Sequence, residues 1–152
     1  MSPRRPVAAD VRFYIDADLL GLAKLLVQVR NDVTYPGDPG GELYRKKRPP
    51  CAVASPAVKD VEWLPVVCRN KWLIVTRDWH INDHRQEIAA VRDHGARMVT
   101  LASKEANSKF AQLELFMCRW RTIEALLEKP GPFIYEATRT TLKPVPLGSG
   151  RL

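Results

Sequence analysis

The chain has 152 residues, of which 45% are hydrophobic and 27% are charged, a composition that suits one globular domain with a sizeable core. Its 24 Lys and Arg residues against 17 Asp and Glu residues give a formal net charge of +7, which favours polyanionic partners such as nucleic acid. Three widely spaced cysteines without a CxxC or CxxH spacing argue against a disulfide framework and a zinc finger, and no apolar run is long enough to cross a membrane.

The first elements are predicted from short β-branched and helical patterns. Residues 1–10 are polar and contain proline, which is typical of a flexible N-terminal segment. Val11–Ile15 reads as a strand that stops at Asp16. A helix is predicted over 19–30 from the spacing of its leucines and valines, and a second short strand over 32–35.

The segment 36–56 has a different composition, with five prolines, three glycines and a basic run at 45–48. It is predicted to be a long irregular loop. Its Tyr44–Arg48 stretch is interpreted either as a guide for an RNA backbone or as a solvated loop. The chain that follows, up to Asn70, is helical in part, although Pro65 interrupts the pattern.

The remaining chain alternates between strand and helix patterns. Strands are predicted at 71–76, 97–101 and 133–136, helices at 81–94 and 107–129, and a flexible tail at 142–152. Such alternation predicts an α/β domain over 11–141, with a mostly parallel sheet and helices on both faces.

Aspartates follow two of the predicted strands. Asp16 comes directly after the first strand, and Asp78 lies just beyond 71–76. Because the carboxyl ends of parallel strands share one edge of the sheet, these side chains are expected to lie close together. Asp60 precedes the second of these strands and Asp83 opens the next helix. Grouped carboxylates suit Mg²⁺ or Mn²⁺, while the alternative for each, above all for Asp18 and Asp83, is helix capping.

Three segments together resemble the PIN-like domain family, the fold of VapC-type toxins. They are RFYIDADL at 12–19, KDVEWLPVV at 59–67 and LIVTRD at 73–78. The resemblance covers about two thirds of the chain, from Val11 to Leu101. It implies a three-layer α/β/α sandwich and a Mg²⁺- or Mn²⁺-dependent endoribonuclease.

The resemblance also implies a set of metal ligands. By position, Asp16, Asp60 and Asp78 match the acids that hold the ion. Many relatives carry a further acid where this chain has His80. Asp83 is the candidate to replace it.

The resemblance further implies a substrate site and partners. Thr76 matches a hydroxyl residue near the metal, and Arg77 and His80 are candidate contacts to the substrate. The implied function is cleavage of RNA by a metal-activated water in the cytoplasm, as the toxin of a type II toxin–antitoxin pair. A cognate antitoxin is then expected, and the apolar face of the helix at 112–127 is interpreted as core, as a homodimer surface or as an antitoxin surface.

Two other functions stay open at this point. The Asp16–Asp18 pair after a strand, and the strand ending at Thr76, are also found in haloacid-dehalogenase-like phosphatases. A non-catalytic basic domain that binds nucleic acid or a protein partner is the third interpretation.

Overall fold

The computed structural model describes residues 5–77 and 85–148, with the side chains of residues 85–87 outside that description. Within these residues there are nine strands and five α-helices. The strands are β1 (Val7–Ala8), β2 (Phe13–Ile15), β3 (Val33–Thr34), β4 (Gly41–Leu43), β5 (Lys46–Arg48), β6 (Leu73–Arg77), β7 (Arg97–Leu101), β8 (Phe133–Ala137) and β9 (Leu142–Pro144). The helices are α1 (Leu20–Leu26), α2 (Asp60–Arg69), α3 (Arg85–His94), α4 (Lys109–Cys118) and α5 (Trp120–Ala125).

The central sheet has six strands in the order β3-β2-β6-β7-β8-β9. The first five run parallel, and β9 is antiparallel to β8. The inner strands β2, β6 and β7 are almost entirely buried, as their continuous apolar runs predict for strands covered on both faces. The predicted mostly parallel sheet is therefore confirmed.

Helices cover both faces of this sheet. The alternation of side chains along β2 shows the division, because Phe13 and Ile15 pack into one buried cluster while Tyr14 packs into the other. Residues of α1, α4 and α5 complete the first cluster, and residues of α2 and α3 complete the second. The architecture is the predicted three-layer α/β/α sandwich.

Two helices differ from their predicted extents. The helix predicted over 107–129 is divided at Arg119, whose φ of −101° and ψ of 5° leave the helical region and end α4. Helix α2 begins at Asp60 and continues through Pro65, so the proline does not break it. The missing Pro65 N–H costs one internal hydrogen bond, while Trp63, Leu64 and Val67 of the same helix are buried.

The segment predicted as an irregular loop contains a small second sheet instead. Strands β4 and β5 form a hairpin, and β1 adds to β5 in parallel. A buried ion pair lies at the base of this hairpin. Arg48 donates from Nε and Nη2 to the two carboxylate oxygens of Asp38 at 2.7 and 3.0 Å, and Thr34 donates to the same carboxylate at 3.0 Å.

Both predicted flexible ends contribute strands. Val7–Ala8, inside the segment 1–10, pairs with β5, and Leu142–Pro144, at the start of the predicted tail, pairs with β8. Val145 N also donates to Ile134 O at 2.8 Å, which continues the contact beyond β9. Residues 142–145 thus pair with the sheet, and the flexibility of the two end segments stays a prediction. The domain limits of 11 and 141 remain a prediction.

Candidate active site at the carboxyl ends of the strands

Asp16 and Thr76 meet because β2 and β6 are neighbouring parallel strands. Ile15 pairs with Val75, and Asp16 N donates to Val75 O at 2.9 Å. Asp16 and Thr76, which directly follow Ile15 and Val75, therefore lie at the same edge of the sheet. The sequence-based expectation that the carboxyl end of β2 meets the carboxyl end of the 71–76 strand is confirmed.

A buried hydroxyl connects two carboxylates at this edge. Thr76 Oγ1 lies 3.1 Å from Asp16 Oδ2 and 3.1 Å from Asp18 Oδ2. Because a hydroxyl has one proton, it donates to one of these carboxylates at a time. The backbone N–H of Arg77 donates to Asp18 Oδ2 at 3.0 Å. Thr76 thus acts as a polar support for both acids, in addition to its place in the strand.

Asp18 is the site residue that sequence reasoning undervalued. Its position in the sequence also fits a helix cap, but Asp16 is the residue that caps the 3-10 turn Ala17–Leu19, accepting from Ala17 N at 2.7 Å. The Asp18 carboxylate instead reaches the end of β6, in a contact between residues 58 positions apart. The signal that was available is the Asp-x-Asp spacing directly after a strand.

Asp60 comes to the same edge from helix α2, which packs on the face of the sheet that contains Tyr14. It is the first residue of α2, and its Oδ1 accepts from the indole Nε1 of Trp63 at 2.9 Å. Its carboxylate is near enough to Asp16 for its charge to raise the pKa of Asp16. Glu62, two residues further along α2, is exposed, as is Asp60. Of these two acids, Asp60 is the one whose charge acts on Asp16.

The pKa of Asp16 is raised above its ordinary value. Burial is the largest cause, because it disfavours the charged carboxylate, and the charge of Asp60 acts in the same direction. The hydrogen bonds from Ala17 N and Thr76 oppose the shift but do not cancel it. Asp16 and Asp60 thus place two negative charges close enough to interact, which is an electrostatic setting that a bound metal ion would relieve.

Tyr14 contributes an unsatisfied polar atom beneath these acids. Its side chain is fully buried, two residues before Asp16 on β2, and its hydroxyl has no hydrogen-bond partner among the described residues. Burial raises the pKa of Tyr14, and the charges of Asp16 and Asp60 raise it further. A buried hydroxyl without a partner is costly, so a water or another ligand at this place would stabilise the site.

A sequence model described as a PIN like domain matches residues 12–103 of the chain. The chain belongs to the PIN-like domain family. No curated protein and no solved structure matches it. The match spans the first strand of the site, α2, β6 and β7, so Asp16, Asp60 and Thr76 all lie within the part shared with other PIN-like domains. Domains of this family are generally nucleases.

Several predicted residues of this PIN-like domain lie outside the described residues. They are Asp78, His80 and Asp83. Within 5–77 and 88–148, no three Asp, Glu, His or Cys side chains are grouped as the ligands of a metal ion. The set Asp16, Asp60, Asp78 and Asp83 therefore remains a prediction. Arg77, the last residue of β6, is half-buried at the site edge.

Proposed function

We propose that this PIN-like domain is a metal-dependent endoribonuclease and acts as the toxin of a type II toxin–antitoxin pair. The observation that carries the proposal is Asp16, a half-buried carboxylate oriented by Ala17 N and Thr76 and destabilised by burial and by the charge of Asp60. Family membership favours the nuclease over the haloacid-dehalogenase-like phosphatase. The net charge of +7 supports RNA as the polyanionic substrate.

The donor set fits Mg²⁺ or Mn²⁺. Such ions are commonly held by one or two carboxylates together with waters and substrate phosphate, and Asp16 and Asp60 supply two carboxylates whose charges interact. Asp78 and Asp83 are proposed as the third and fourth ligands from their places in the sequence. When bound, the ion would offset the charge of the carboxylates, bind a phosphate oxygen and lower the pKa of a water.

The chain's own residues orient the reacting groups. Ala17 N and Thr76 each bond one oxygen of the Asp16 carboxylate, and Trp63 bonds one oxygen of Asp60. Each bond uses one lone pair, which leaves the other lone pairs of both acids for a ligand. We assign Arg77 and His80 to the phosphates of the RNA that flank the cleaved bond. Arg77 is the last residue of β6, and His80 follows it three residues later in the sequence.

An apolar groove supports the proposal of an antitoxin. It has a volume of about 220 Å³ and lies between α1 and the α4–α5 pair, with Leu26, Phe116 and Trp120 in its lining. Val29 and Met117, which also line it, are 59% and 65% exposed. We propose that an apolar segment of the antitoxin covers this groove, and that a homodimer is the alternative use of the same face.

The proposed location is the cytoplasm. Cys51, Cys68 and Cys118 are all free thiols in the structure, as expected for a reducing compartment. In the part of the chain that the structure describes, no helix has the length and apolar character needed to cross a bilayer.

The test is cleavage of single-stranded RNA with and without Mn²⁺. The wild-type protein is expected to cleave only with the ion, and Asp16→Asn is expected to lower the rate about a hundredfold or more because a ligand oxygen is lost. Asp93→Asn is the matched control, since Asp93 is an exposed aspartate at the far end of α3. Full activity of Asp16→Asn, or hydrolysis of a small phosphate ester but not of RNA, would contradict the proposal.

A further inference from the structure

The hairpin β4–β5 has an unusual turn. Its register pairs Leu43 with Lys46, so the connection is the two residues Tyr44 and Arg45. Their φ angles are 53° and 62°, and a two-residue hairpin turn with both φ angles positive matches type I′. Asn-Gly is the favoured sequence for such a turn, because Gly has no Cβ to approach a carbonyl oxygen and the short polar side chain of Asn can hydrogen-bond locally. The chain instead places a bulky aromatic residue and a long cationic residue in two strained positions.

These two residues form the exposed tip of the hairpin together with the following lysines. Tyr44 is 72% exposed, and Arg45, Lys46 and Lys47 are exposed as well. None of these three cations forms an ion pair with an acidic side chain of the described residues. We call Tyr44–Lys47 the hairpin tip. It presents one aromatic ring next to three consecutive positive charges.

The base of the hairpin holds this tip in a defined place. Arg48, the next residue of the same basic run, turns inward and binds Asp38 with two hydrogen bonds. Gly40 packs so closely that a Cβ there would lie 2.4 Å from Arg48 O. Strand β1 supports the other edge of β5. A surface that is already ordered loses little conformational entropy when it binds a ligand.

We propose that the hairpin tip is a docking surface for single-stranded RNA, with a base stacked on Tyr44 and neighbouring phosphates bound by Arg45, Lys46 and Lys47. The inference rests on the proposed function and adds a substrate-binding surface outside the acidic site. A single strand offers bases and phosphates in alternation, which matches a ring flanked by cations. Binding of RNA by the side chains of Tyr44 and Arg45 would explain why these residues occupy a strained, exposed turn.

The experiment uses the double variant Tyr44→Asn with Arg45→Gly, which installs the preferred type I′ turn. Two opposite changes are expected. The melting temperature rises because the strain is relieved, and the affinity for a fluorescently labelled single-stranded RNA falls about tenfold or more because the ring and one charge are lost. Arg121→Gln, an exposed charge on α5, is the control for loss of charge alone. Binding is measured by fluorescence anisotropy in a chelator, so that no RNA is cleaved.

The single variants separate the two contributions. Tyr44→Asn is expected to weaken binding with little change in its salt dependence, and Arg45→Gly is expected to reduce the salt dependence. Unchanged affinity in the double variant, the same loss in Arg121→Gln, or a lower melting temperature would each overturn the proposal. A competition experiment with poly-glutamate gives a further contrary outcome. If poly-glutamate displaces RNA from the wild type and fails to bind the double variant, the hairpin tip recognises an acidic protein, and the proposal is overturned.

Binding and cleavage are read separately. RNA that is held at the tip but never cleaved when Mn²⁺ is added would contradict the nuclease and support the docking surface. Cleavage by a double variant whose RNA affinity equals that of the wild type would support the nuclease and overturn the docking surface.

Discussion

Burial disfavours the ionised form of Asp16, whereas the proposed role as a metal ligand requires that form. The side chain is held away from water and close to Asp60, and both conditions raise its pKa. A carboxyl group whose pKa is higher in the folded state than in the unfolded state favours folding only while it is protonated. That contribution is complete below the unfolded pKa of about 3.9 and is lost as the pH rises through the folded value. Once Asp16 is ionised, its buried charge therefore destabilises the folded protein.

The first prediction follows from the raised pKa of Asp16 and concerns thermal stability. In a chelator at pH 7, Asp16→Asn is expected to melt at a higher temperature than the wild type, because the neutral amide avoids the cost of the buried charge. The difference should shrink as the pH falls below the folded pKa and vanish below about pH 3, where the wild-type carboxyl is protonated in both states. Thermal denaturation across this pH range measures it. A difference that stays constant with pH would mean that the charge of Asp16 is not the cause.

Trp63 is a positioning residue for Asp60. The buried indole donates its only N–H to Asp60 Oδ1, and its ring lies 5.1 Å from the ring of Tyr14. Such a bond fixes the orientation of the Asp60 carboxylate. The contact between Asp60 and Trp63 has one signal in the sequence. The spacing of three residues within one turn of α2 was the available signal.

The second prediction concerns the affinity for Mn²⁺. Trp63→Phe keeps a ring against Tyr14 and removes the N–H, so it is expected to weaken Mn²⁺ binding about tenfold. Trp72→Phe is the matched control, because Trp72 also stacks on Tyr14, at 6.2 Å, and has no carboxylate partner among the described residues. Electron paramagnetic resonance of free Mn²⁺ gives both affinities. Equal affinities of the two variants would remove Trp63 from the site.

At the scale of elements, the segment 36–56 shows how composition misleads. Its prolines and glycines indicate an irregular loop, yet the chain between them forms a hairpin whose base is buried. Composition describes local backbone freedom, whereas the hairpin depends on Asp38 meeting Arg48 and on β5 pairing with β1. Neither contact leaves a periodic pattern in the sequence.

The third prediction tests this anchor. The Asp38 and Arg48 side chains are 0% and 5% exposed, so Arg48→Met leaves a carboxylate buried without its partner. The expected cost in the free energy of unfolding is about 3–5 kcal/mol. Adding Asp38→Leu removes the stranded charge and should recover a large part of this loss. Urea denaturation of both variants measures the effect, and a double variant that is less stable than Arg48→Met would contradict this explanation.

At the scale of the whole molecule, the parallel sheet brings together residues that are distant in sequence. Asp16 follows β2, Thr76 ends the buried part of β6, and Asp60 opens the helix between them in the chain. Each comes from a different element, and the acids share one edge because parallel strands with right-handed connections all point the same way. The basic hairpin is built by the segment that leaves the carboxyl end of β3. The acidic site and the cationic surface are thus separate features of one fold.

The sequence by itself determined the alternation of strands and helices, the parallel direction of the main strands, and the positions of Asp16 and Thr76 near strand ends. These depend on hydrophobic periodicity, which is a local property of the chain. The tertiary structure alone decided that Asp18 bonds to Thr76 and Arg77, and that the buried Tyr14 hydroxyl has no hydrogen-bond partner among the described residues. It also decided that Val7–Ala8 and Leu142–Pro144 add strands to the two sheets. The reason is physical: contacts between distant segments are chosen by the packing free energy of the whole chain, which no short stretch of sequence contains.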